Sequence, residues 1–155
     1  MSRGRAAKTR AAAALACSAL LVGGCGSSSL SNPQLRRKAA RICMTAQRSS
    51  ESIAAPSDPA KGEQFLQRGI AALAPQVTAL HRLKPSSELQ DSYAGALRAT
   101  DHELALLRSA LRGLKAGNDP VVAIKTLQDE LGPAEDAAGN AWRQVDVPAC
   151  TKVMG

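Results

Sequence analysis

The run of residues 89–114 most constrains the fold, because mostly apolar side chains recur in it every three or four positions. This spacing places them on one face of an α-helix more than three heptads long. Ser87 and Gln90 fit a capping box that would open the helix, and Gly117-Asn118 fits a C-cap that would end it. The face consists of Leu89, Tyr93, Ala96, Thr100, Leu104, Leu107, Leu111 and Leu114.

Two further segments with the helical period precede this run. The first begins at Ser31-Asn32-Pro33, where Asn32 is expected to cap and Pro33 to take the first helical position. Pro56-Ser57-Asp58-Pro59 ends this segment and caps the second. Pro75 lies inside the second segment, where it removes a backbone hydrogen bond and clashes with the preceding turn. A kink or break is therefore expected near residues 72–74.

A fourth helical segment follows Asp119-Pro120, is interrupted at Gly132-Pro133 and closes at Val147-Pro148. No alternating, β-branched run of strand length is present in the sequence. These patterns predict an all-α fold, an up-down-up-down four-helix bundle whose second and fourth helices are kinked or broken at proline. The many alanines favour close helix packing and a filled core over a wide cavity.

The N-terminus has the pattern of an export signal. Its first ten residues carry four basic side chains and no acidic one, and residues 11–22 are almost wholly apolar. Twelve apolar residues rise about 18 Å as a helix, which is short of the roughly 30 Å hydrocarbon core. The segment is therefore expected to direct export rather than to span the membrane.

Residues 21–25, Leu-Val-Gly-Gly-Cys, resemble the lipobox of bacterial lipoproteins. The resemblance implies that Cys25 is acylated and becomes the first residue of the mature protein. Val22 departs from the pattern, since the family most often has leucine there. Cys17 is the rival acceptor, but acylation at Cys17 would leave residues 20–22 as an unexplained apolar run. An ordinary secretory signal with a chance cysteine is the alternative.

The resemblance divides the chain into three parts. Residues 1–24 are the expected signal peptide, residues 25–32 the acylated cysteine with a flexible tether, and residues 33–155 the bundle domain. Six residues of such a tether have a typical end-to-end distance of about 13 Å. The domain is therefore expected at the extracytoplasmic face of the cell membrane, held there by the lipid on Cys25.

The net charge of +7 is inflated by the signal. After residues 1–24, 16 basic residues face 13 acidic ones, which leaves +3 and gives weak support for a nucleic-acid partner. A basic cluster follows the tether. It is either a solvated helix face or a contact with anionic lipid headgroups, worth about 1 kcal/mol per charge. Its members are Arg36, Arg37, Lys38 and Arg41.

Two cysteines, Cys43 and Cys150, remain after the signal and the lipid acceptor are assigned. In an oxidising compartment this even pair predicts a disulfide. Closing so long a loop stabilises by roughly 4.7 kcal/mol in the chain-entropy model. Two unrelated free thiols are the alternative.

The sequence contains no complete pattern of catalytic or metal-binding residues. His102 lacks a second histidine four residues on, and neither His81 nor His102 has a glutamate three residues earlier, as di-iron bundles require. His102 is expected to be exposed, and His81 to interact with the carbonyl end of its own helix. The acidic pairs Asp129-Glu130 and Glu135-Asp136 are typical of a solvated face. No catalytic residue, metal site or cofactor is expected, and the protein is not expected to be an enzyme.

The sequence leaves two candidate functions. The first is a membrane-anchored, non-enzymatic helical domain that binds an envelope protein partner. The alternative is a module for a small molecule or lipid, held between helices near Pro75 and Gly132-Pro133. With three aromatic residues, Phe65, Tyr93 and Trp142, a stacking platform for sugars or nucleic acid is not expected.

The plan of the whole chain resembles small lipoproteins of high-GC Gram-positive bacteria. The resemblance implies a helical fold and no particular activity. It rests on Ile42-Cys43, Leu83-Lys84-Pro85, Trp142 and Pro148-Ala149-Cys150.

Overall fold

The computed structural model describes residues 29–151, and within them the chain forms four long helices and no strand. The prediction of an all-α four-helix bundle is confirmed. The predicted signal peptide and Cys25 lie outside the described residues. The long helices are α1 (Asn32–Glu51), α2 (Gly62–His81), α3 (Gln90–Lys115) and α4 (Pro120–Val145), and two short 3-10 helices are Pro59–Lys61 and Pro148–Cys150.

The start of α1 differs from the prediction. Ser31, not Asn32, is the N-cap residue, and its backbone amide donates to Oε1 of Gln34 at 3.2 Å. The Asn32 side chain serves another purpose. Its Nδ2 donates to Glu88 at 2.7 Å, and its Oδ1 accepts from the Ser86 hydroxyl at 2.6 Å. Asn32 therefore ties α1 to the α2–α3 connection, a long-range contact that local pattern does not reveal.

Among the other helix ends, the predictions at Asp119 and Gly117 are confirmed and the prediction at Ser87 is wrong. Asp119 caps α4 as predicted, because its Oδ1 accepts from the amides of Val121 and Val122 at 2.8 and 3.0 Å. Gly117 has a φ of 89°, the left-handed conformation expected after the last turn of α3. The capping box predicted at Ser87 is wrong, since α3 begins after Leu89 with no side-chain cap.

Neither internal proline breaks its helix. The chain stays helical through Pro75 in α2 and through Pro133 in α4, so the expectation of a break at these positions is wrong. Buried residues flank each proline: Leu73 and Val77 in α2, and Ala134 next to Pro133 in α4. Burial of these residues favours a continuous helix and offsets the hydrogen bond that proline removes.

The interior consists of two groups of buried side chains, one towards each end of the bundle. The first, which we call the disulfide core, comprises Leu35, Ala39, Cys43, Leu80, Leu89, Tyr93, Ala96, Trp142, Val145, Val147 and Cys150. The second, the leucine core, comprises Ala46, Leu66, Leu73, Leu107, Leu114 and Leu127. Within the described residues, all four long helices and the C-terminal segment contribute side chains to these cores, so residues 30–150 carry the packed interior of the bundle.

Helix packing closes the bundle at only one end. Helix α4 packs along α3, and α2 packs against both α3 and α1. Helix α1 packs against the 3-10 helix Pro148–Cys150 rather than along α4. The C-terminal segment thus fills the space between α1 and α4 beside the disulfide core. Beside the leucine core, the 3-10 helix Pro59–Lys61 and the start of α2 contact α4.

Within residues 29–151, no helix combines the length and apolar composition needed to cross a bilayer.

Candidate functional site

An apolar groove of about 660 Å³ opens beside the leucine core. It lies between the α1–α2 connection and the N-terminal halves of α2 and α4, where α1 and α4 do not pack together. The expectation of a filled core without a wide cavity is wrong here, because separation of two helices, rather than side-chain size, creates the space. Its apolar walls include Ile53, Phe65, Leu73, Leu107, Ile124 and Leu131.

Two glycines on α2 contribute to the open space. Gly62 and Gly69 both line the groove. A Cβ built on Gly62 would meet the side chain of Ile124 at 3.4 Å, whereas a Cβ on Gly69 would meet nothing within 4 Å. The side of the groove at Gly69 therefore has room for a larger group.

Polar groups in the groove are few. Ser50 donates its hydroxyl to the carbonyl of Ala46 at 3.1 Å, so its hydrogen already has an acceptor. Lys125 is the one charged residue lining the groove within the described part of the chain, and its side chain is 74 % exposed. Its Nζ lies 3.2 Å from a carboxylate oxygen of Asp129, one turn further along α4. The site thus has an apolar interior and a cationic group facing solvent.

The groove lies near the two prolines without including them. Leu73 and Leu131 line its inner end, close in sequence to Pro75 and Pro133, which are not lining residues. A ligand of the alternative function was predicted near these prolines. The groove comes within two residues of each proline and extends from there towards the N-terminal ends of α2 and α4.

A buried carboxyl lies one helical turn beyond the groove. Glu103, four residues before the groove residue Leu107, is only 5 % exposed. Burial, with a smaller contribution from the nearby Glu135 carboxylate, raises the pKa of Glu103 to about 8. The pKa of Glu135 is also raised, by burial and by Asp136. Glu103 is therefore largely protonated in the folded protein near neutral pH.

The burial of Glu103 was not predicted from the sequence, where this residue stood out only as a neighbour of His102. A signal for its burial was present, since Glu103 stands three residues after Thr100 and four before Leu107, both on the buried face. The position of Glu103 on the helix face is therefore a better guide to its burial than its charged side chain is.

The two histidines occupy the exposed surface. His102 is exposed, as predicted. His81 does not serve the carbonyl end of α2 as expected, because its Nε2 lies 2.9 and 3.0 Å from the two carboxylate oxygens of Asp101 on α3. Among residues 29–151, no three side chains of the metal-ligating types come together.

The predicted disulfide between Cys43 and Cys150 is confirmed, with the two Cα atoms 5.1 Å apart. Both residues are buried in the disulfide core, at the opposite end of the bundle from the groove. The bond attaches the C-terminal 3-10 helix to the middle of α1. Its place in the fold indicates a structural role.

Comparisons of the chain with models of protein families, with curated proteins and with solved structures find no match.

Proposed function

We propose that this protein is a non-enzymatic lipoprotein domain, anchored at the extracytoplasmic face of the cell membrane, that binds an apolar ligand of the lipid class in its groove. The open, apolar space beside the leucine core carries the proposal. Its volume of about 660 Å³ lies within the roughly 300–1,000 Å³ typical of small-molecule sites. Most residues that line it are apolar, as in sites for hydrocarbon chains.

The distribution of polar groups favours a chain with a polar head over a wholly apolar molecule. A hydrocarbon chain would lie against Phe65, Leu73 and Leu131, where it is removed from water. A carboxylate or phosphate head would reach the solvent-exposed ammonium of Lys125 at the rim. Among the described residues, those that line the groove include no histidine, cysteine or carboxylate, which supports binding rather than catalysis.

The resemblance of residues 21–25 to a lipobox supports the membrane location. An acyl group on Cys25 would keep the domain beside a bilayer, which is a source of ligands of this class. One acyl chain binds a membrane only marginally, so stable anchoring needs two or more chains or an added electrostatic contact.

The groove can be tested by filling it. The test uses the soluble chain of residues 26–155 and cis-parinaric acid, a fluorescent fatty acid. Gly69→Leu places a side chain in the open part of the groove, and we expect it to weaken binding at least tenfold. Gly95→Leu on α3 is the matched control, because a Cβ on Gly95 would meet only the flexible guanidinium of Arg98, at 3.8 Å, and Gly95 does not line the groove.

Both variants replace a helical glycine, so both should leave the helices as stable or slightly more stable. Selective loss of probe binding in Gly69→Leu supports the proposal. Absence of binding by the unaltered chain, or equal binding by both variants, overturns it.

An envelope protein partner is the second candidate, favoured by two exposed valines at the start of α4. Val121 is 60 % exposed and Val122 is 64 % exposed, beside the mouth of the groove. A photo-crosslinker at position 122 in the anchored protein should then attach one discrete protein in cells. A crosslinker at Arg98, an exposed position on α3, is the control and should not attach it.

A further inference from the structure

The positive charge of the described domain is concentrated on α1. This helix carries five basic residues and a single acid, Glu51, whereas the rest of residues 29–151 carries ten basic and twelve acidic residues. The remainder of the domain is thus slightly acidic. The basic residues of α1 are Arg36, Arg37, Lys38, Arg41 and Arg48.

Three of these arginines form a stripe along the outer face of α1. Arg37, Arg41 and Arg48 stand at relative positions 0, 4 and 11, a spacing that keeps them on one side of a helix over about 16 Å. All three are exposed, and Met44 lies between them at 43 % exposure. We call Arg37, Arg41, Met44 and Arg48 the α1 stripe.

The stripe is available for an external partner. Arg36, which is not part of it, is engaged within the fold, since its Nε donates to the carbonyl of Val145 at 3.0 Å and its Nη1 lies 3.4 Å from Asp146. Within the described residues, none of the stripe arginines forms an ion pair. Arg48 donates only to the carbonyl of Met44 in its own helix.

We propose that the α1 stripe docks the domain side-on onto an anionic lipid bilayer. Guanidinium groups donate paired hydrogen bonds to phosphate oxygens, and each basic residue near an anionic surface favours binding about fivefold. Met44 adds an apolar side chain among them that can enter the interfacial region. Helix α1 is also the first element after residues 1–28, so a chain anchored at Cys25 brings this helix to the membrane first.

Docking through α1 fixes the distance between the groove and the bilayer surface. Ser50 in the last turn of α1 and Ile53 just after it line the groove. Ser50 faces away from the stripe, so a bundle lying on its α1 face holds the groove about one helix diameter, roughly 10 Å, above the bilayer, whereas a bundle standing on its tethered end has it the length of α1 away, about 30 Å. The docking does not depend on whether the groove holds a ligand.

The test uses the soluble chain of residues 26–155, which lacks both the signal and Cys25, so binding cannot come from the acyl group. Vesicles of equal parts phosphatidylglycerol and phosphatidylcholine are compared with vesicles of phosphatidylcholine alone. We expect sedimentation with the anionic vesicles only, weakening as salt is raised. Equal binding to both vesicles, or none to either, overturns the proposal.

A matched pair of triple variants locates the contact. Arg37→Gln, Arg41→Gln and Arg48→Gln together should lower partitioning onto the anionic vesicles about 100-fold. The control replaces three exposed basic residues of α3 with the same loss of charge, and should lower partitioning much less. It consists of Arg108→Gln, Arg112→Gln and Lys115→Gln.

Replacing the three stripe arginines by lysine keeps the charge and should retain most of the binding. Thermal unfolding of each variant checks that the bundle is intact. If the α3 triple variant loses as much binding as the α1 triple variant, net charge rather than the α1 stripe governs attachment, and the proposal fails. The vesicle assay contains no ligand for the groove, so its outcome is independent of whether the groove binds cis-parinaric acid.

Discussion

The indole Nε1 of Trp142 donates a hydrogen bond of 2.9 Å to the hydroxyl oxygen of Thr100 in the disulfide core. That hydroxyl donates in turn to the carbonyl of Ala96 at 3.0 Å. The Trp142 ring meets Tyr93 edge to face, with ring centroids 5.6 Å apart, and the Tyr93 hydroxyl donates to the carbonyl of Leu80 at 2.8 Å. These contacts join α2, α3 and α4, and in the described part of the chain no buried side-chain nitrogen or oxygen lacks a hydrogen-bond partner.

Thr100→Val should destabilise the bundle, because it keeps the side-chain shape but leaves the buried indole N–H without an acceptor. The expected cost is about 1–3 kcal/mol of unfolding free energy, measured by urea denaturation. Thr78→Val is the control, since Thr78 makes the same type of bond to Ala74 at 2.9 Å but is exposed. If the two variants lose equal stability, the Trp142 bond contributes nothing specific.

Helical periodicity predicted which residues lie on the buried face of a helix, but not which residues of different helices contact each other. It placed Thr100 on the buried face of α3 and Trp142 in the fourth helix, yet their hydrogen bond depends on the axial register of α3 against α4. That register is set by packing along the whole interface. The same reason explains why the tie from Asn32 to Glu88 was missed, whereas the cap at Asp119, a purely local contact, was predicted.

The groove could not be predicted, because it results from how α1 and α4 are placed relative to each other. Both helices have the ordinary apolar stripes that predict a closed bundle. The disulfide joins Cys150 to α1, and the 3-10 helix Pro148–Cys150 contacts both α1 and α4 at the end of the bundle opposite the groove. The cysteine pair was visible in the sequence, but its effect on helix arrangement required three-dimensional structure.

Removing the disulfide by Cys43→Ala and Cys150→Ala should lower the unfolding free energy by up to about 4 kcal/mol. The bond closes a loop with a sequence separation of 107 residues, which restricts the unfolded chain. Chemical denaturation of the chain of residues 26–155 measures the loss, and reductant should reproduce it in the unaltered protein. Reductant should not affect the double variant. Equal stability of oxidised and reduced protein would contradict this role.

Stability should fall as pH rises from about 4.5 to about 8, because Glu103 holds its proton in the folded state. Its pKa is about 8 when folded against an ordinary value of 4.5. In this window the unfolded chain releases the proton that the folded protein retains, so raising the pH favours unfolding. The raised pKa of Glu135 acts in the same direction.

Glu103→Gln should therefore flatten the dependence of unfolding free energy on pH and stabilise the protein most above pH 8. Denaturation curves collected at pH 5, 7 and 9 measure the effect, which is expected to reach a few kcal/mol at the highest pH. Glu130→Gln is the control, since Glu130 is exposed on α4. An unchanged pH profile in Glu103→Gln would show that another group governs it.

Acylation at Cys25 predicts a specific dependence on that residue in the cell. Cys25→Ser should abolish incorporation of labelled palmitate and release the protein from the membrane fraction, because serine offers no thiol for a thioether bond. Cys17→Ser is the matched control and should leave both labelling and membrane attachment intact, since Cys17 belongs to the expected signal rather than to the mature chain. Labelling that persists in Cys25→Ser but disappears in Cys17→Ser would move the acceptor to the rival cysteine. Absence of labelling in the unaltered protein would remove the lipoprotein assignment and leave the groove and the α1 stripe to be judged by their own tests.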